Sequence, residues 1–236
     1  MSLFTDATAI TITEGNVKNI QDSNGNMIWG SLVDYPYRRL EYIYFNGNDY
    51  IDTGYTPYNA MTFEIDCQFD NGVTNEYNGH GQVTSNNRAF IGIENSNNFL
   101  YGLGAYTGTN STITKYDRHN YSIKLSSGST GVFKVDDVTI ASNITCNYVE
   151  SNRGHMFIGG VYRSTGQYSL CHEKVYGAKF YNAGTLTWTL VPVQRKSDGA
   201  IGLLKVTSST VSFMSTTNGN ASAGPTVNEY WDGSLA

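Results

Sequence analysis

LEYIYFNGNDYIDTGYTPYNAMTFEIDCQF, residues 40–69, decides how the rest of the chain is read. It holds three short runs of alternating apolar and polar residues: Leu40 to Phe45, Tyr50 to Tyr55 and Met61 to Phe69. Turn-formers separate them, Asn46-Gly47-Asn48 and then Pro57-Tyr58-Asn59. A period of two sends successive side chains to opposite faces of a strand. Phe63, Ile65, Cys67 and Phe69 therefore share one face, and Glu64, Asp66 and Gln68 the other. One oily and one polar face is the pattern of a strand lying in one sheet of a sandwich.

Later segments repeat the pattern. Arg88 to Glu94 and Asn98 to Tyr106 flank Asn95-Ser96-Asn97 as a hairpin, and Asn120 to Leu125 alternates. Gly131 to Val135 and Val138 to Ala141 bracket the turn Asp136-Asp137. His155 to Tyr162, Glu173 to Tyr181, Thr185 to Arg195, Ile201 to Val206 and Val211 to Met214 complete the set, with no amphipathic helix of three turns. Pro192 would ordinarily push its strand to an edge or mark a strand end. Strands at this spacing predict an all-β sandwich over residues 38–217, followed by an irregular tail, 218–236.

Residues 1–33 read as a separate β segment. Ile10 and Ile12 lie in one run, Val17 and Ile20 in the next, and Ile28 and Trp29 follow the turn Asn24-Gly25. Asn-Gly between apolar runs is a strong hairpin signal. A piece this small cannot bury enough to stand alone, so these six residues are expected to dock it in an assembly.

Charged residues make up 15% of the chain, net charge is −5, and there are 18 Tyr. With no Lys/Arg stripe to neutralise phosphates, nucleic acid is not an expected partner. No apolar run nears the roughly 18 residues of a membrane span, and Met1 to Asp6 lacks the basic start of a secretory leader. Cys67, Cys146 and Cys171 are odd in number and widely spaced, which predicts no disulfide framework and no metal site. Cys67 reads as a core residue. Asp136-Asp137, or Asp49 with Asp52, could hold calcium, although Asp more often satisfies turn amides. No cofactor is expected.

Val17-Lys18-x-Ile20-x-Asp22-Ser23-Asn24-Gly25-x-x-Ile28-Trp29 resembles short N-terminal segments of virion proteins of tailed bacteriophages. From Leu40 to Met214, the order YIDTGY, FIGIE, NYSIKL, VFKVDD, HMFIGG, KVYGAKFYN and LVPVQRKSDGAIGL is similar to concanavalin A-like, laminin-G-type jelly-roll sandwiches encoded by phages of gut bacteria. The usual V-D-G turn appears here as Val135-Asp136-Asp137, without its glycine. The resemblance implies a non-enzymatic virion structural protein, made in the host cytoplasm. It would be a homo-oligomer joined to other virion proteins by its N-terminal segment, presenting a lectin-like sandwich to glycans or host surfaces. A free-standing carbohydrate-binding module is the alternative, and a laminarinase-type glycoside hydrolase the third reading.

Laminarinase-type glucanases share that fold and use an E-x-D-x-E strand. Here the strand is Glu64-x-Asp66-x-Gln68, and Gln68 cannot carry the proton such hydrolysis needs. No catalytic residues are therefore assigned. In sandwiches of this type aromatics stack on sugar rings and amides orient hydroxyls. The candidates are Asn97, Asn98, Tyr101 and Tyr106 in the central hairpin, and Tyr162, Arg163, Gln167 and Tyr168 after HMFIGG.

Overall fold

A computed structural model describes residues 9–13, 16–21, 27–30, 36–70, 78–84, 87–93, 98–104, 106–110, 112–114, 116–126, 130–146, 154–163 and 168–227. In chain order the strands begin with β1 (Ala9–Thr13), β2 (Asn16–Gln21) and β3 (Met27–Gly30), which form a small antiparallel sheet. Ile10 is register partner to Ile20, Ile12 to Val17, and Ile20 to Trp29, while Ile28 lies within β3. Among the described residues, this sheet pairs with neither of the two larger ones.

The sandwich starts with β4 (Tyr37–Arg39), β5 (Ile43–Asn46), β6 (Ile51–Asp52), β7 (Met61–Phe69), β8 (Asn78–Thr84), β9 (Asn87–Ile93), β10 (Phe99–Gly104) and β11 (Tyr106–Asn110). It continues with β12 (His119–Lys124), β13 (Gly131–Val135), β14 (Val138–Ile144), β15 (Phe157–Ile158), β16 (Gly160–Arg163) and β17 (Tyr168–Leu170). The last strands are β18 (His172–Asn182), β19 (Thr185–Arg195), β20 (Ile201–Val206), β21 (Val211–Ser215) and β22 (Ser222–Ala223). The larger sheet runs β14-β13-β12-β7-β18-β19-β20-β21, with β5 beside the first half of β18 and β22 beside β5. The smaller runs β11-β10-β9-β8-β15-β6, and β16 joins β8 in parallel. No helix among the described residues is long and apolar enough to cross a membrane.

The alternation in β7 lands as expected, every second residue from Met61 to Phe69 being buried. Those side chains meet the inner face of the smaller sheet in one core. Aromatic rings dominate the contact: Tyr55 stacks on Phe180 at 4.2 Å, Tyr101 on Phe133 at 4.3 Å, and Phe69 meets Phe99 edge-on at 5.8 Å. Each such pair contributes about 0.5–1.5 kcal/mol beyond its buried area.

The structure adds detail at three points of the sequence reading. Pro192 does not place its strand at an edge, because β19 lies between β18 and β20. Pairing with β18 ends at Leu190 and pairing with β4 begins at Val193, so the missing N–H falls in the gap, where the Pro192 carbonyl accepts from Leu40 N–H at 2.9 Å. The run 98–106 is two strands, since Gly104 turns at φ +61° and Leu103 pairs with Tyr106. After residue 217, Ser222–Ala223 pairs with β5 and Leu40 bridges Thr226.

Two turns are organised by Asp carboxylates. Asp136 and Asp137 both take left-handed φ, 48° and 64°, which is the geometry of a two-residue hairpin turn. Asp136 is held there by Asn120 N–H at 2.8 Å and by His119 at 2.6 Å. Asp49 is fully buried. Its Oδ1 accepts from Tyr50 and Asn218 N–H, each at 2.9 Å, and its Oδ2 from Asn220 at 2.8 Å and Ala221 at 3.3 Å. Four amide donors occupy this carboxylate, and Asp52 faces His155 at 3.0 Å.

Candidate functional site

The polar positions of β7 point away from the core, and their neighbours come from three other strands. Register sets Gln68 beside Lys174 of β18, and Lys174 beside Tyr44 of β5. Glu64 lies between Lys179 of β18 and Ser122 of β12. A bulge in β18 between Val175 and Gly177 shifts the pairing by one residue, so Tyr176 enters the same face.

The side chains there form one network. Arg118 grips Asp66 through two parallel bonds, Nε–Oδ1 at 2.8 Å and Nη2–Oδ2 at 2.7 Å. The same guanidinium lies 3.7 Å from the centre of the Tyr176 ring. Tyr176 Oη donates to Gln68 Oε1 at 3.3 Å, and Gln68 Nε2 donates to the Tyr116 carbonyl at 2.8 Å. Tyr42 meets Tyr176 edge-on at 5.5 Å, with Lys174 Nζ 5.1 Å from the centre of its ring. Tyr44 donates to Asp70 at 3.0 Å and Tyr181 to Glu64 at 2.8 Å. Planar two-point pairing by Arg fixes orientation as well as charge. The result is a half-buried surface of tyrosines whose polar neighbours are held in place before any ligand arrives.

The positions that match the laminarinase carboxylate strand are each engaged or substituted here. Both Asp66 oxygens are taken by Arg118 and Glu64 Oε2 by a phenol, while position 68 is an amide. The arrangement suits recognition of a polyhydroxylated ligand, with rings for apolar faces and fixed carboxylate, guanidinium and amide groups for hydroxyls.

Burial and the Glu64 carboxylate push the Tyr181 phenol up to about 12, and burial with Tyr106 does the same for Tyr101. Their protonated forms are the ones the fold favours, so this stability is fully present below pH 10 and is lost as pH rises from 10 through about 12. Phenolate absorbance and far-UV circular dichroism, followed together, should show the fold intact at pH 10, with Tyr181 and Tyr101 still protonated. Cooperative unfolding then follows as pH nears 12. One phenolate step near pH 10 with unchanged dichroism beyond pH 12 would refute this.

The residues expected from sequence sit elsewhere. Tyr101 is 4% exposed and belongs to the core, while Tyr106 is 42% exposed with its ring 6.1 Å away. Asn98 is half-buried just before β10. Tyr162 meets Phe157 edge-on at 5.4 Å, Phe157 stacks on Tyr50 at 4.8 Å, and Arg163 ends β16, half-buried. β9 and β8 lie between β10 and β16, so the two groups are not neighbours in the sheet. Tyr168 pairs with Tyr162 through the backbone of β17; its side chain, Asn97 and Gln167 lie outside the described residues. Sequence reading missed Arg118, Tyr42, Tyr44 and Tyr176 as a group, because they come from distant segments. The available signal was phase: each of the three tyrosines occupies an outward position of an alternating run.

No protein-family model matches the chain, and no curated protein does. Among solved structures it is similar to the carbohydrate-binding module CBM66 from Bacillus subtilis, at 11% identity over 61% of this chain and 94% of that one, with a TM-score of 0.33.

Proposed function

We propose that this chain is a non-enzymatic structural protein of a tailed-phage virion, and that its sandwich binds a glycan on the tyrosine-lined outer face of the larger sheet. The observation that carries the binding reading is the Arg118–Asp66–Tyr176–Gln68 network, a preorganised aromatic and polar surface whose carboxylates are held for contact rather than proton transfer. The virion reading draws support from the resemblance over Val17–Trp29 and from the separate three-stranded sheet, which would be stabilised between sister chains and other virion proteins. No cofactor enters this function.

The test is a glycan array probed with the full chain, followed by titration of the strongest hit. Tyr176→Ala and Arg118→Ala should each weaken binding at least tenfold, about 1.4 kcal/mol, with the melting midpoint moving only a few degrees. An array with no hit, or a hit indifferent to both substitutions, would remove this face as the binding site. Light scattering on the same sample bears on assembly: a monomer would count against the N-terminal sheet as an oligomerising element.

A further inference from the structure

Between the two sheets, three potential ligand atoms come from strands far apart in the chain. Cys67 near the end of β7, His80 in β8 and Glu173 in β18 are all fully buried, and their donor atoms lie within 4.8 Å of one another. His80 Nε2 and Glu173 Oε2 are 2.7 Å apart, yet neither atom has a hydrogen-bond partner, so this approach is not a well-directed hydrogen bond. The surrounding groups look after the other ends. Cys171 Sγ donates to Glu173 Oε1 at 2.8 Å and lies 3.4 Å from the Gly79 carbonyl, while His80 Nδ1 accepts from Gly159 N–H at a long 3.3 Å.

A carboxylate in a dry core is costly unless its charge is matched. We propose that Cys67, His80 and Glu173 form a buried site for a divalent transition-metal ion of the zinc type, clamping the smaller sheet to the larger. A dication with one thiolate, one carboxylate and one neutral imidazole has no net charge, which suits the location. Thiolate, imidazole and carboxylate together are the donor set of Zn²⁺ and Co²⁺ rather than of Ca²⁺ or Mg²⁺. With bonds of about 2.0–2.1 Å to nitrogen and oxygen in a tetrahedral site, ligand atoms stand about 3.3 Å apart, so His80 and Glu173 separate slightly on loading. Loading releases the Cys67 thiol proton to solvent. The ring proton moves from Nε2 to Nδ1, and the weak Gly159 contact gives way. Cys171 stays with the carboxylate as the supporting hydrogen bond such ligands usually have.

Because the ligands are fully buried, the full chain is unfolded with a chelator present, freed of it, and refolded with Co²⁺ alone. Expected is uptake of one equivalent with a thiolate-to-cobalt charge-transfer band in the near ultraviolet. Zn²⁺ should displace the cobalt and raise the melting midpoint by several degrees. The band should vanish in Cys67→Ser and in His80→Gln and survive in Cys146→Ser, the control for another buried thiol. Absence of the band in the unsubstituted chain together with no midpoint shift on adding Zn²⁺ overturns the proposal, and that result stands even if a variant fails to fold. A band that persists in Cys67→Ser, or disappears in Cys146→Ser, overturns it equally by placing the metal elsewhere.

Discussion

Asp49→Ala is expected to destabilise the protein by about 3–5 kcal/mol, a large share of the roughly 5–15 kcal/mol that holds a typical domain together. The carboxylate is fully buried and accepts from the amides of Tyr50, Asn218, Asn220 and Ala221. A hydrogen bond to a charged group contributes about 1.5–3 kcal/mol, and a buried donor left unpaired costs about 1–3. The four do not add, because once the carboxylate is gone some of these amides can reach water. Asp49→Asn should recover little, since its NH₂ would face N–H groups that need an acceptor. Urea unfolding measures the loss, and limited proteolysis locates it: residues 218–227 should become cleavable well before the sandwich does. A loss under 1 kcal/mol would mean that the amides find other partners.

Gly81→Ala should be at least as damaging, costing more than about 3 kcal/mol or preventing folding. Gly81 has φ +120°, and an added Cβ would lie 2.0 Å from the Ala89 carbonyl oxygen and 2.8 Å from Phe90 Cα. Both are backbone atoms of the adjacent strand, which cannot swing aside as a side-chain tip can. The residue is also the meeting point of the smaller sheet, in register with Phe90, Phe157 and Val161 on three different strands. Parting β8 from β9 therefore loosens β15 and β16 as well. Far-UV dichroism and the yield of soluble protein report the outcome. A soluble chain melting within a few degrees of the parent would show that the sheet absorbs the extra atom.

Sequence reading reached most of the sandwich because its strands obey the two-residue period. β7 does so over nine residues, and Cys67 falls on the core side as expected. β8, Asn78–Thr84, escaped it because the polar residues His80, Gln82 and Thr84 are buried and buried glycines alternate with them, which removes the usual signal. The same loss of signal hid the Cys67–His80–Glu173 cluster, which has no telling spacing along the chain. The tyrosine face was half legible. Glu64, Asp66 and Gln68 were placed correctly on the polar side of β7, but Arg118, Tyr44 and Tyr176 reach them only through strand order and a bulge, and neither is written in local pattern.

The pairing of β22 with β5 also sets a clock on biosynthesis. Tyr44 and its register partner Ser222 are 178 residues apart. At about 5–20 residues per second, a ribosome leaves that edge of β5 bare for roughly ten to thirty-five seconds. An unpaired strand edge recruits other chains. Nascent copies crowded on one message are therefore at risk of sticking together until Ser222–Ala223 emerges, and a holdase that covers Ile43–Asn46 during that interval should raise the yield more than one acting after it.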